Sequence, residues 1–307
     1  MINNSIFKID NEVKFALKNN KPIVALESTL ISHGLPYPEN IKVANLSIEA
    51  VRKNGSIPAT IGIIQGKIKI GLNENDLKIL DKNKNIHKVT KNNLSLVVSN
   101  KLNGATTVGS TINIAAKVGI KFFATGGIGG VHLNYNQDMD VSSDLYELSR
   151  NNMCVICSGA KSIIDINKTY EKLESLGIPR LGYKTKYMPG FWYYHTDNMV
   201  DYNFTKISEL IKYLKINEKI QKSVSTSILL FNPVTKSKAI EKTKINRWVQ
   251  ASMKKANKLS IEGKKLTPFL INEVNKLSKN KTLKTNADLI IKNANLASKV
   301  AYNYFLK

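Results

Sequence analysis

Four short apolar runs, each followed at once by polar or glycine-rich chain, constrain this sequence most. KPIVAL (21–26) precedes EST, KFFA (121–124) precedes TGGIGGVH, MCVIC (153–157) precedes SGAKS, and SILLF (227–231) precedes Asn232-Pro233. Runs this short and this apolar suit strands buried on both faces. Helical patterns lie between them. Residues 38–54 repeat apolar positions at Val43, Ala44, Ile48 and Val51 and stop at Gly55, as a helix does. Further helices are expected at 75–81, after Thr90, and at 106–118, 143–150, 163–176 and 207–216. Three more are expected between Ala239 and Leu306, split near Gly263 and Lys279. Residues 57–64 and 67–72 flank Gln65-Gly66 as a hairpin. Residues 179–183 read as a short strand and 184–204 as irregular, aromatic chain. The first twenty residues read as an amphipathic helix. Strands alternating with helices imply a three-layer α/β/α sandwich around a largely parallel, Rossmann-like sheet. With 307 residues, 42% of them hydrophobic, a single catalytic domain over 1–307 with a helical C-terminal part is the simplest organisation.

The N-terminus has neither the apolar core of a signal peptide nor the arginine bias of a transit peptide, and no apolar run approaches the ~20 residues of a membrane span. A cytoplasmic protein is expected. Cys154 and Cys157 form CVIC, but residues three apart on a strand face opposite ways. No second cysteine pair exists to complete a zinc site, so buried structural thiols are expected. The formal charge is +23, yet lysines outnumber arginines 42 to 4. Nucleic-acid readers lean on the bidentate arginine fork. Lysines spread over solvated faces account for the charge, and an anionic small substrate is compatible with it.

In open α/β sheets ligands bind beyond the carboxyl ends of the strands. Three of the four strand ends carry a titratable group: Glu27, His132 and Lys161. Each has a plain alternative. Glu27 suits a surface carboxylate or a helix cap, a lone histidine such as His33 or His132 suits a structural hydrogen-bonder, and Lys161 suits a solvated charge. TGGIGG is not a dinucleotide fingerprint, although its backbone N–H groups suit an anion. Asp138, Asp140 and Asp144 cluster in QDMDVSSDL, as carboxylates around a hydrated divalent cation would. Ser142 or Ser143 equally suits a helix N-cap, with Asp144 in the first turn.

Longer motifs then appear in order: ALESTLISHGLPYP (25–38), GATTV (104–108), TGGIGGVH (125–132), MDVSSDL (139–145), SGAKSIIDI (158–166), TPFLINEV (267–274) and LKTNADLIIKNANLA (283–297). With these, residues 21–300 resemble the pseudouridine-5′-phosphate glycosidases, or indigoidine synthase A family. The resemblance implies reversible cleavage of a C–C glycosidic bond, giving uracil and ribose 5-phosphate, by an enzyme that is usually a homotrimer. It implies that Lys161 is the nucleophile, forming an imine-type adduct at C1′, and that Glu27 is the proton donor. A neutral amine is needed for that attack, which burial and a nearby cation would favour. It places the metal, usually Mn²⁺, on Asp140. Substrate contacts fall on Lys88, Val108, Ser142, Ser143 and Asp144, and further site positions on His132, Asn286 and the Thr125, Gly126 and Gly127 loop. The chain departs from the family where MPGFWYY (188–194) replaces an FPAFY-like segment. The expected partner is the small-molecule substrate, with no nucleic acid and no membrane. Two other readings stand beside it: another Schiff-base lysine aldolase or lyase acting on a sugar phosphate, and a nucleic-acid binder motivated by the charge.

Overall fold

The computed structural model describes residues 5–82, 85–221 and 226–306. Eleven strands are seen: β1 (Phe7–Ile9), β2 (Ile23–Leu26), β3 (Ile57–Ile64), β4 (Lys67–Ile70), β5 (His87–Val89), β6 (Gly104–Thr106), β7 (Phe122–Ala124), β8 (Cys154–Cys157), β9 (Arg180–Tyr183), β10 (Tyr202–Phe204) and β11 (Ile228–Phe231). They form one sheet in the order β1-β4-β3-β2-β7-β8-β11-β9-β10, with β6 on β3 and β5 on β6. Pairing is parallel except for β3 with β4 and β3 with β6. The expected largely parallel α/β sheet is therefore present.

Strict alternation along each central strand sends its side chains to two separate cores. Ile23, Ala25, Phe123, Val155, Leu229 and Phe231 join one cluster. Val24, Leu26, Phe122, Ala124, Ile156 and Leu230 join the other. Cys157 belongs to the first and Cys154 to the second, so the two thiols do diverge across the sheet. The second core is closed by the last helix, Lys281–Phe305, which packs along Glu39–Lys53. Ala294, Ala297 and Ala301 are small enough to let the helix lie close. Ser298 Oγ donates to the Val51 carbonyl at 2.6 Å.

Most expected elements occur within a few residues of their expected bounds, including three long C-terminal helices, Lys242–Lys258, Leu266–Leu277 and Lys281–Phe305. Three differ. The first twenty residues are not one helix; Phe7–Ile9 is an edge strand beside β4, and only Asn11–Lys18 is helical, capped by Asp10. Residues 1–4 of that reading lie outside the described residues. Thr106 ends a strand rather than starting a helix, because the Ser28 hydroxyl accepts its N–H at 2.9 Å and its own hydroxyl donates to the Ile61 carbonyl. The helix begins at Val108, behind an N-cap at Thr107. Likewise Asp165 caps a helix that starts at Ile166, not Ile163. Among the described residues no helix is long and apolar enough to cross a membrane.

The chain runs from β2 to β3 and β4 on one side, then returns to β7 and β8 on the other. The β2–β7 boundary is thus the topological switch point, where the crevice of such a sheet opens. Beyond it the ends of β7, β8 and β11 are tied by one side chain. Asn293, fully buried in the last helix, donates to the Thr125 carbonyl at 2.8 Å and to Ser158 Oγ at 3.0 Å. Its Oδ1 accepts from Asn232 Nδ2 at 2.9 Å, and Ser158 Oγ donates to the Asn232 carbonyl at 2.8 Å.

Two outcomes follow from this packing. Burial pushes both thiols up to about 12, so iodoacetamide at pH 8 leaves Cys154 and Cys157 unlabelled in the native protein and labels both in denaturant. Replacing Asn293 by Leu strands several buried polar groups, each costing about 1–3 kcal/mol. Chemical denaturation of that variant shows a loss of roughly 3 kcal/mol or more.

Candidate active site

The four strand ends singled out by the sequence are four consecutive neighbours in the sheet, β2-β7-β8-β11. Their loops line one crevice. Glu27 follows β2 and is 7% exposed. Its Oε1 accepts from the Thr125 hydroxyl, across the switch point, and its Oε2 from the Thr29 hydroxyl. A buried carboxyl held through both oxygens has one fixed orientation.

After β8, Gly159 has φ +90°, and a Cβ there would sit 2.0 Å from the Pro189 carbonyl oxygen. Only glycine allows that turn. The turn brings the Lys161 N–H to the Ile128 carbonyl at 3.0 Å, fastening SGAKS beside TGGIGG. The Lys161 side chain emerges half-buried and has no ion-pair partner among the described residues. Other lysines near buried acids are paired, such as Lys69 with Asp76 and Lys91 with Glu147.

Lys161 and Glu27 stand between two spaces. Toward one side lies a polar groove of about 860 Å³, within the ~300–1,000 Å³ of small-ligand sites. Val108, His132, Asp140, Ser142, Ser143 and Asp144 line it. Here GGVH pairs antiparallel with MDVSS: His132 N–H reaches the Asp140 carbonyl at 3.0 Å, and Ser142 N–H the Gly130 carbonyl at 2.9 Å. The Asp144 carboxylate accepts from the Gly109 and Gly129 N–H groups at 2.7 and 2.9 Å. It clamps the glycine loop to the start of the helix Val108–Lys117, while Ser142 caps the helix Ser143–Leu148. The cap reading of the MDVSSD stretch is thus seen, whereas Asp138, Asp140 and Asp144 do not gather as one cluster, because Asp144 spends both carboxylate oxygens on backbone N–H groups. The His132 Nδ1 lies 3.7 Å from Asp140 Oδ2.

Toward the other side lies a mainly apolar slot, walled by Leu30, Leu35, Phe191, Ile271 and Ile290, with Asn286 at its polar edge. Gly126 and Gly127 form part of it. Lys88 and Thr267 reach both spaces. His33 also lines the slot, and its buried Nε2 has no hydrogen-bond partner among the described residues. Burial, reinforced by the positive charge of Lys88, lowers the His33 imidazole from its ordinary value. It is neutral near pH 7.

The sequence-derived residues therefore converge on one crevice, with Thr125 set behind Glu27 rather than in either wall. Thr29, Phe191, Trp192 and Asn293 were not singled out. Except for Thr29, which bonds Glu27 two residues away, their partners lie far away in sequence, and only the EST and NANLA motifs mark two of the four.

Residues 12–303 match the family described as indigoidine synthase A like protein. The pseudouridine-5′-phosphate glycosidase of Brachyspira hyodysenteriae is 43% identical over 296 residues, covering 96% of each chain. That of Escherichia coli K12 is 41% identical over 304 residues, covering 99% of this chain and 97% of its own. Among solved structures, an indigoidine synthase A-like protein of Thermotoga maritima matches with a TM-score of 0.89 at 32% identity, covering 98% of this chain and 97% of its own. The prealnumycin C-glycosynthase AlnA, in complex with ribulose 5-phosphate, matches with a TM-score of 0.90 at 28% identity, covering 99% of this chain and 98% of its own. The chain belongs to the indigoidine synthase A-like family.

Proposed function

We infer that this protein is a pseudouridine-5′-phosphate glycosidase, cleaving the C–C bond between uracil and ribose 5-phosphate reversibly. The observation that carries the reading is the lysine: Lys161 opens, without a carboxylate partner, into a crevice it shares with a buried carboxyl. The name borne by relatives more than 40% identical over nearly the whole chain supports the substrate.

The slot suits the flat base, and the polar groove suits the opened sugar and its phosphate. Glu27 protonates the ring oxygen O4′ as the C1′–O4′ bond breaks, while the Lys161 amine forms a bond to C1′ and sheds a proton to the Glu27 carboxylate. Glu27 passes that proton on to the uracil carbon C5. The C1′–C5 bond breaks, and the lysine nitrogen lone pair closes a C=N bond to C1′. Water adds to that iminium, releasing ribose 5-phosphate and the free amine. Thr29 and Thr125 hold the Glu27 carboxyl while its proton moves. Lys88, at the border of the two spaces, contributes positive charge toward the phosphate.

A divalent ion, Mn²⁺ in this reading, belongs at Asp140. Among the described residues no group of three or more His, Cys, Asp or Glu could cage a metal. A half-exposed carboxylate beside Asp138 and His132 does fit an ion that keeps most of its waters. When bound, it would supply positive charge to substrate oxygens in the groove. A cytoplasmic homotrimer is part of the same reading.

The test is uracil release from pseudouridine 5′-phosphate with Mn²⁺, wild type beside Lys161→Ala and Asp140→Ala. Wild type releases uracil, Lys161→Ala loses at least about a thousandfold in kcat, and Asp140→Ala requires far more Mn²⁺. A folded wild type that releases none, with or without metal, refutes the reading.

A further inference from the structure

The slot raises a question of hydrogen-bond polarity. Trp192 is buried, and its indole Nε1–H reaches Asn286 Oδ1 at 2.5 Å. An indole N–H only donates, so the carboxamide atom facing it must be the oxygen. Asn286 is 7% exposed and lines the slot, and its Nδ2 has no partner among the described residues. The amide therefore offers the slot a donor and withholds its acceptor.

Trp192 is itself held. Its N–H donates to Ser162 Oγ at 3.2 Å, and Ser162 Oγ donates to the Gly190 carbonyl at 2.6 Å. The Trp192 carbonyl accepts from Ile240 N–H at 2.8 Å. The preceding residue, Phe191, sits at φ +65°, a region that bulky side chains rarely adopt. Its N–H is tied to the Ser158 carbonyl at 3.0 Å. That turn lays the Phe191 ring where a Cβ on Gly127 would be 2.7 Å away, making one flat wall of the slot. The same short segment thus builds an aromatic face and orients the one amide at its edge.

We propose that Trp192 is a positioning residue that fixes Asn286 as a hydrogen-bond donor to the slot. The slot thereby selects a planar base presenting a carbonyl oxygen at that edge over one presenting an amino group. This rests on the C-glycosidase reading, with uracil as the base.

The experiment compares wild type, Trp192→Phe and Trp192→Tyr. It measures KM and kcat for pseudouridine 5′-phosphate and inhibition constants for uracil and for cytosine, whose amino group replaces one carbonyl. Losing the donor lets the amide rotate. Trp192→Phe then raises KM and weakens uracil roughly tenfold, changes kcat less, and moves the uracil-to-cytosine ratio toward one. Trp192→Tyr, with a hydroxyl to donate again, restores much of the ratio. A Trp192→Phe enzyme that keeps the wild-type ratio overturns the proposal, as does equal loss in both variants with lowered melting temperatures.

If Trp192→Phe does not fold, Asn286→Asp decides, since it keeps the shape and faces the slot with an acceptor. A ratio turned toward cytosine supports the proposal, and an unchanged ratio overturns it. Absence of uracil release by wild type would instead refute the C-glycosidase reading. Calorimetric titration of uracil and cytosine against the same variants then still reads the ratio, and equal binding of both by wild type overturns the selectivity.

Discussion

The crevice depends on one buried amide. Asn293, fully buried, joins the loops after β7, β8 and β11 through three hydrogen bonds, to the Thr125 carbonyl, Ser158 Oγ and Asn232 Nδ2. Loops beyond a parallel sheet are ordinarily the mobile part of such a fold. Here their first residues are fixed relative to one another and to the last helix. Catalytic groups a few bonds further on inherit that precision, which matters because a misplacement of about 1 Å costs roughly a hundredfold in rate.

From that frame the division of labour follows. The switch point between β2 and β7 is bridged by Thr125 donating to Glu27, so this carboxyl is held from both banks of the crevice. The loop after β8 is drawn against the glycine loop by the Gly159 turn, and the Lys161 side chain that follows has no ion-pair partner among the described residues. The asymmetry of the walls does the rest. Carboxylates, hydroxyls and His132 dominate one side, and aliphatic chains and Phe191, with His33 and an oriented amide, dominate the other. A polar sugar phosphate and a flat base would be sorted by that difference in solvation alone.

Much of this was legible in the chain. The strands are short, uniformly apolar and bounded by polar residues, and two of the flanking helices carry caps visible in the sequence, at Thr90 and Ser142. That is enough to place Glu27, His132 and Lys161 at strand ends. What was not legible depends on distance along the chain. Strand Gly104–Thr106 is made by the Ser28 hydroxyl 78 residues away, overriding the helical pattern that runs on from it. Phe7–Ile9 alternates over only three residues, too few to mark a strand, and it is one because β4 offers an edge. The left-handed backbone at Phe191 and the Trp192–Asn286 bond, 94 residues apart, have no local signature at all. Asn293 resembles any helical asparagine until the three loops it joins are brought together.

The central claim is that Lys161 carries the sugar covalently. Its most direct test is borohydride reduction of the enzyme incubated with ribose 5-phosphate, followed by peptide mapping by mass spectrometry. Reduction should fix one ribose phosphate on the peptide containing Lys161, and Lys161→Ala should remain unmodified under the same conditions. A label confined to other lysines, or no label on a wild type that turns over substrate, would contradict the account.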